Sequence, residues 1–295
     1  ASMATIFDTV VQGILLGGMY ALFALGQSLL FGVMRLTNTA HGDFIVLGAF
    51  AASSLGLATG LPTGLAPWTA LAVLLPVGFL AGYGLQRVVL NGTLGKDPLP
   101  SLVVTFGLAI VIENLLQQIY TADPRSIDPG ALGTASVEIA SGVSVGVLPV
   151  LILGVAVVLT IGLQLFFDRT SLGRAFRAVS DDLEAAELMG LDHRHIYAVA
   201  TGIAFALVAV AGTLHGMRTT FAAADGPSLL LYAFEAVVIG GMGSFYGTLA
   251  GGMLLGLTQD VGFRIDPGWG IWSGHVAFLA MLVLRPNGLF PRTAQ

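Results

Sequence analysis

Long apolar stretches recur along the whole chain, at about residues 6–31, 42–58, 66–90, 99–120, 146–167, 195–217, 229–243, 247–262 and 270–285. A helix needs about 20 such residues to cross the hydrocarbon core of a bilayer, and most of these stretches reach that length. Only 10% of the 295 residues are charged and 55% are hydrophobic; the mean hydropathy is +0.87. Soluble domains carry about 25% charged residues. Helices this apolar on every face must be surrounded by lipid or by one another. The expected fold is all-α: a polytopic integral membrane helical bundle of eight or nine transmembrane helices, some short or broken, forming one domain over residues 1–295. The 42–58 segment and the 229–262 pair are short and glycine-rich, and could be half-helices that stop part-way.

The first apolar stretch reads as a genuine span. No basic run precedes it and no small-residue cleavage site follows it; Ala1 and Ser2 ahead of Met3 read as a cloning remnant. The 40 glycines are roughly double ordinary usage, as close helix packing in lipid favours. Gly13/Gly17, Gly78/Gly82, Gly247/Gly251 and Gly252/Gly256 are each spaced for such a face.

Basic residues set the orientation. With the 168–194 loop in the cytoplasm, Arg35, Arg87, Lys96, Arg169, Arg174, Arg177, Arg194, Arg285 and Arg292 fall inside, and only Arg125, Arg218 and Arg264 outside. That places the amino terminus outside and the carboxyl terminus inside; one re-entrant segment would move the amino terminus inside. The external 121–145 loop, with Asp123, Pro124, Arg125, Asp128, Pro129 and Glu138, is either a solvated connector or a docking surface for an external partner.

Much chemistry is missing. The single lysine, Lys96, is in no phosphate-binding loop, so the chain is not a P-loop ATPase by itself. No zinc-protease or nucleophile-elbow motif is present, and no cysteine. His193 and His195, in the basic loop, read as solvated surface. Nothing points to nucleic acid; the expected surroundings are lipid.

The 168–194 loop contains a short helix with both ends marked. Asp181 can cap its start, with Glu184 three residues on as in a capping box, and Gly190 can close it in the left-handed conformation. Its body is about two turns, marginal alone in water. Ala185, Ala186 and Met189 offer a small apolar face suited to another protein's groove.

Glu184-Ala185-Ala186-Glu187-Leu188-Met189-Gly190 resembles the Glu-Ala-Ala-xxx-Gly loop of permease subunits in ATP-binding-cassette importers. The run from Ser171 to Val179 leading into it is similar to the branched-chain amino acid permease family, specifically its LivH-type branch. So are Leu36–Phe50, Ile239–Gly252 and Leu284–Phe290. The resemblance covers residues 10–290, almost the whole chain. It implies a type II importer-like bundle in the bacterial cytoplasmic (inner) membrane. It also implies a second permease subunit, a different chain, two ATP-binding subunits that hold ATP and Mg, and an external substrate-binding protein. The chain itself would need no cofactor and would not be an enzyme. The implied coupling residues are Asp181, Glu184, Ala185, Ala186, Met189 and Gly190. The implied substrate is a branched-chain or related amino acid; urea, short amides and aromatic acids are handled by related permeases.

Polar residues at membrane depth are the candidates for the substrate path. Thr37, Asn38, Thr39, His41 and Asp43 mark an expected break between two helices. They either line a cavity or hydrogen-bond the broken backbone. A helix starting near Gly42 could attract a carboxylate. Glu113 and Gln117 share a face at i, i+4, with Asn114 and Gln118 beside them. Glu235 precedes the Gly240–Gly243 turn; neither acid has a basic partner evident in the sequence. His215 reads as a packed, hydrogen-bonded residue. An ion-coupled secondary transporter working through Glu113 and Glu235 is the alternative, and it leaves the capped helix at 181–190 unexplained.

Overall fold

A computed structural model of the chain describes residues 2–291. Ala1 and Arg292 lie outside the described residues. Helices dominate: α1 (Met3–Met34), α2 (His41–Thr59), α3 (Ala66–Val88), α4 (Leu99–Tyr120), α5 (Val147–Arg169), α6 (Ser171–Asp181), α7 (Leu183–Leu188), α8 (His193–Arg218), α9 (Gly226–Gly240), α10 (Phe245–Ile265) and α11 (Gly270–Leu284). Eight helical segments are long and apolar enough to cross a membrane.

α10 is not among those eight. It is 21 residues long, but its glycines with Gln259, Asp260 and Arg264 make it less apolar than the other spans. It runs antiparallel to α1 at backbone contact instead. A Cβ on Gly17 would stand 2.4 Å from Met253 Cα, and one on Gly256 2.3 Å from Gly17 N. The other spaced glycines are used in the same way: Gly78 and Gly82 meet α8, and Gly247 and Gly251 meet α9. Asp8 and Arg264 close the α1–α10 pair with an ion pair at 2.7 Å.

The chain breaks after α1. Arg35 ends that helix at φ 56°, its N–H on the Phe31 carbonyl. Residues 35–40 then run back without helix, and α2 starts level with Phe23, roughly 16 Å short of the α1 end. From there α2 runs beside α8 in the same direction, with Gly48 against Val208–Gly212. α9 is 15 residues, about 22 Å long. Its first residue abuts Gly42: a Cβ there would stand 1.9 Å from the Gly226 carbonyl.

One end of the bundle gathers the basic loop. Arg35 Nε donates to the Ser180 carbonyl at 3.3 Å, and Phe167 of α5 stacks edge-on against Phe245 of α10. The segment after α11 crosses the α9–α10 turn, Leu289 and Phe290 N–H donating to Ile239 and Gly240 carbonyls at 2.9 Å. α1 therefore starts at the opposite end and α11 finishes at the basic end, as the charge bias requires.

The all-α fold stands, and the external loop adds one small element to it. The 121–145 loop holds an antiparallel hairpin, β1 (Ser136–Ala140) with β2 (Val143–Gly146). Val137, Ile139, Val143 and Val145 alternate with polar or small residues, and Gly142 turns the chain at φ 79°. Val143 and Val145 are buried, while β1 is exposed throughout.

Candidate functional site

The loop at the basic end is two helices. Thr170 starts α6, its hydroxyl accepting from Gly173 N–H at 3.0 Å. Phe176 and Val179 are buried and face inward, and Phe176 packs on Phe167 at 5.3 Å. α6 ends at Asp181, and Asp182, in extended backbone, begins α7.

Two expectations are corrected here. The cap of α7 is Asp182, whose Oδ1 accepts from Ala185 N–H at 3.0 Å. Asp181 belongs to the preceding helix, and no capping box forms; Glu184 sits in the first turn, where its charge suits the helix dipole. Adjacent aspartates are alike as caps, and only the path of the chain chooses between them. Second, Ala186 is 4% exposed and faces the protein itself. The outward apolar residues are Leu188 and Met189, 83% and 85% exposed, with Ala185 beside them. The other end is as expected. Gly190 has φ +90°, and Leu191 N–H returns to the Ala186 carbonyl at 3.1 Å, the bond of a Schellman ending. His193 pairs with Glu187, and His195 Nδ1 lies 2.7 Å from the Tyr83 hydroxyl. His193 joins α8 to α7 and His195 joins it to α3; His195 is exposed, as expected of the basic loop, while His193 is only partly so.

At membrane depth the break brings Asn38, His41 and Asp43 together, all buried. Asn38 Oδ1 accepts from Ala40 N–H at 2.9 Å, His41 Nε2 lies 2.7 Å from the Phe23 carbonyl, and Thr39 bonds to Thr105 of α4 at 2.7 Å. Asn38 and His41 thus hold the broken backbone in place. A cavity of about 20 Å³ beside Asn38 is lined also by Gln86, Ser101, Thr105 and Thr201, room for about one water.

Glu113 and Gln117 do share a face of α4; both are half-buried, and Asn114 and Gln118 next to them are exposed. Glu235 lies elsewhere, in α9, buried with Oε1 2.5 Å from His275 Nδ1 of α11. His275 is the basic partner that sequence reasoning missed, because 40 residues separate the two. Tyr20, whose hydroxyl donates to Gln259, is a second missed element; both its partners and its depth come from the α1–α10 contact. His215 is buried edge-on to Phe23 at 5.1 Å.

Apolar helices packed around a broken one, with a small capped helix displayed at the basic end, define a multi-pass membrane protein. The match to known proteins is specific. Over residues 9–284 the chain fits the family described as branched-chain amino acid transport system / permease component, and it belongs to that family. It is 32% identical to the high-affinity branched-chain amino acid transport system permease protein BraD of Pseudomonas aeruginosa, over 96% of this chain and 95% of that one. Against LivH of Escherichia coli, named as a permease of the same kind of system, identity is 27% over 95% and 94%. Against LivM of Escherichia coli it is 27%, covering 93% of this chain and 68% of that one. A solved structure, PsaBC from Streptococcus pneumoniae in complex with Fab, aligns over 94% of this chain and 91% of that one at a TM-score of 0.46 and 14% identity, too distant to bear on the fold.

Proposed function

We propose that this chain is the membrane-spanning subunit of an ATP-binding-cassette importer for branched-chain or related amino acids, in the bacterial cytoplasmic membrane. The observation that carries the reading is the helix α7. It is capped at both ends, fixed to the body through Glu187–His193, and turns Leu188 and Met189 outward at the basic end. A six-residue helix with two exposed large apolar side chains is built to seat in another protein. That other protein would be one of two ATP-binding subunits, which supply ATP and Mg. A second, different permease subunit would complete the path in a type II arrangement, and an external binding protein would deliver substrate.

In this reading α6 and α7 receive the motion of the ATP-binding subunit. The buried Phe176 and Phe167 pass it to Phe245 at the head of α10, and so to the α9–α10 turn. The polar face of α4, with Glu113, Asn114, Gln117 and Gln118, would line the path, since lipid would not accept it. The test is gentle purification from the host, mass spectrometry of co-purifying chains, and ATP-driven uptake of leucine by the reconstituted complex. Two P-loop ATPases, a second permease and ATP-dependent uptake are expected. A chain that purifies alone and transports without ATP would overturn the reading.

A further inference from the structure

Three helices leave a groove on the flank of the bundle. α3, α5 and α8 border a cavity of about 470 Å³ whose lining residues are all apolar, among them Leu75, Val158, Phe166, Ile203 and Val210. Val158 is 67% exposed, so the groove opens sideways, away from the core. Gly162 leaves it open on the α5 side: an added Cβ there would meet nothing within 4 Å. Membrane helices seat against one another through small residues. Here only Gly162 and Ala206 are small, and the bulky walls suit a flexible hydrocarbon chain better than a second helix.

One end of the groove is basic. Val158, Gly162, Phe166 and Arg169 are spaced i, i+4, i+8 and i+11 along α5, which puts them on one face. Arg169 is exposed and stands about 4.5 Å past Phe166 toward the basic end of the bundle. Its neighbour Asp168 is engaged elsewhere, accepting from Gln164 Nε2 at 3.1 Å and lying 4.0 Å from Arg177. On α3, the exposed Arg87 donates to the Tyr83 hydroxyl at 3.4 Å, and that hydroxyl lies 2.7 Å from His195 Nδ1 of α8. His195 is about 12 Å nearer the basic end than Ile203. No carboxylate is in ion-pair contact with Arg169 or Arg87 among the described residues. By the charge bias of the loops, this end faces the cytoplasmic headgroups.

We propose that this groove holds an acyl chain of an anionic phospholipid from the cytoplasmic leaflet, with the phosphate on Arg169 and Arg87 adding to the positive field. This goes beyond the transport reading and does not depend on it. A guanidinium fork matches a phosphate with two hydrogen bonds, and basic pockets between helices on this side of a membrane take acidic headgroups. The lipid would brace α3 and α8 against the foot of α5, where Phe167 carries Phe176 of α6.

The experiment purifies the full chain in mild detergent, with whatever subunits accompany it, and exchanges it into dioleoylphosphatidylglycerol or dioleoylphosphatidylcholine. Native mass spectrometry then counts the lipid retained. Each chain is expected to keep one more phosphatidylglycerol than phosphatidylcholine. Gly162→Leu fills the groove at a position with nothing within 4 Å, and should remove that difference; Gly107→Leu, equally open but on α4, should preserve it. Arg169→Gln should weaken phosphatidylglycerol retention roughly tenfold, the loss expected for one charge-assisted hydrogen bond, and Arg169→Lys should recover part of it. Residues 162 and 169 are both exposed, so unfolding temperatures in detergent alone should stay at the wild-type value. Equal retention of the two lipids by the wild-type chain would overturn the proposal, as would an unchanged preference in Gly162→Leu. Loss of a co-purifying membrane subunit in Gly162→Leu, with the lipid count unchanged, would assign the groove to a protein helix and overturn it as well.

Discussion

The imidazole of His41 is bonded to the backbone carbonyl of Phe23 at 2.7 Å, so the first residue of α2 is fixed to the middle of α1. This bond lets a helix begin inside the bundle. α2 has no side-chain cap, and the Phe23 carbonyl is already part of the α1 ladder. Replacing His41 by Ala should destabilise the protein by about 1–3 kcal/mol, the cost of leaving buried polar groups unpaired, read as thermal unfolding in detergent. His195→Ala, at an exposed position, should cost far less.

α1 and α10 tolerate nothing between their backbones. Gly17→Ala places a methyl 2.4 Å from Met253 Cα, and overpacking of this kind costs roughly 1–3 kcal/mol or more. Gly154→Ala meets nothing within 4 Å and should be neutral or stabilising by up to about 1 kcal/mol through helix propensity. Unfolding temperatures of the two variants in the same detergent check the contrast.

The docking face of α7 is best tested away from Ala186. Ala186→Glu would put a charge in a buried position and disturb the loop itself. Met189→Glu and Leu188→Glu, both largely exposed, should leave the unfolding temperature unchanged while abolishing co-purification of ATP-binding subunits. Retained co-purification in both would remove α7 from the contact.

Gly190 has φ +90°, where an L side chain is strained. Gly190→Ala should loosen the end of α7 by about 1 kcal/mol, and Gly190→Pro should also remove the N–H that bonds to the Glu187 carbonyl at 3.0 Å. Faster proteolysis within residues 183–192, with the spans intact, is the expected signature.

Glu235 and His275 join α9 to α11. Removing the histidine alone leaves a buried carboxyl without its partner, so His275→Ala should cost about 2–3 kcal/mol. Adding Glu235→Gln should recover part of that loss. A double-mutant cycle on unfolding temperature measures the coupling.

Much of the fold was legible because lipid imposes a local rule. Every spanning backbone must satisfy its own hydrogen bonds, so an apolar run of span length reads directly as a helix. The span at 99–120 coincides with α4, and most other boundaries fall within a few residues. α10 was harder: its glycines announced close packing without naming α1 as the partner. The α7 cap moved by one residue because Asp181 and Asp182 are chemically equivalent. Glu235 was seen as costly, yet its partner His275 could not be, since helix pairing sets that contact.

The sequence by itself determined that this chain is a bundle of membrane helices, broken near Asn38, with a small capped helix in its basic loop. It did so through hydropathy, charge bias and turn chemistry, which act over a few residues. Only the tertiary structure decided that α2 begins at the depth of Phe23, that Ala186 faces inward, and that Asp43 meets the start of α9. Those facts depend on which helices approach to backbone contact, and that is set by the packing of distant residues against one another.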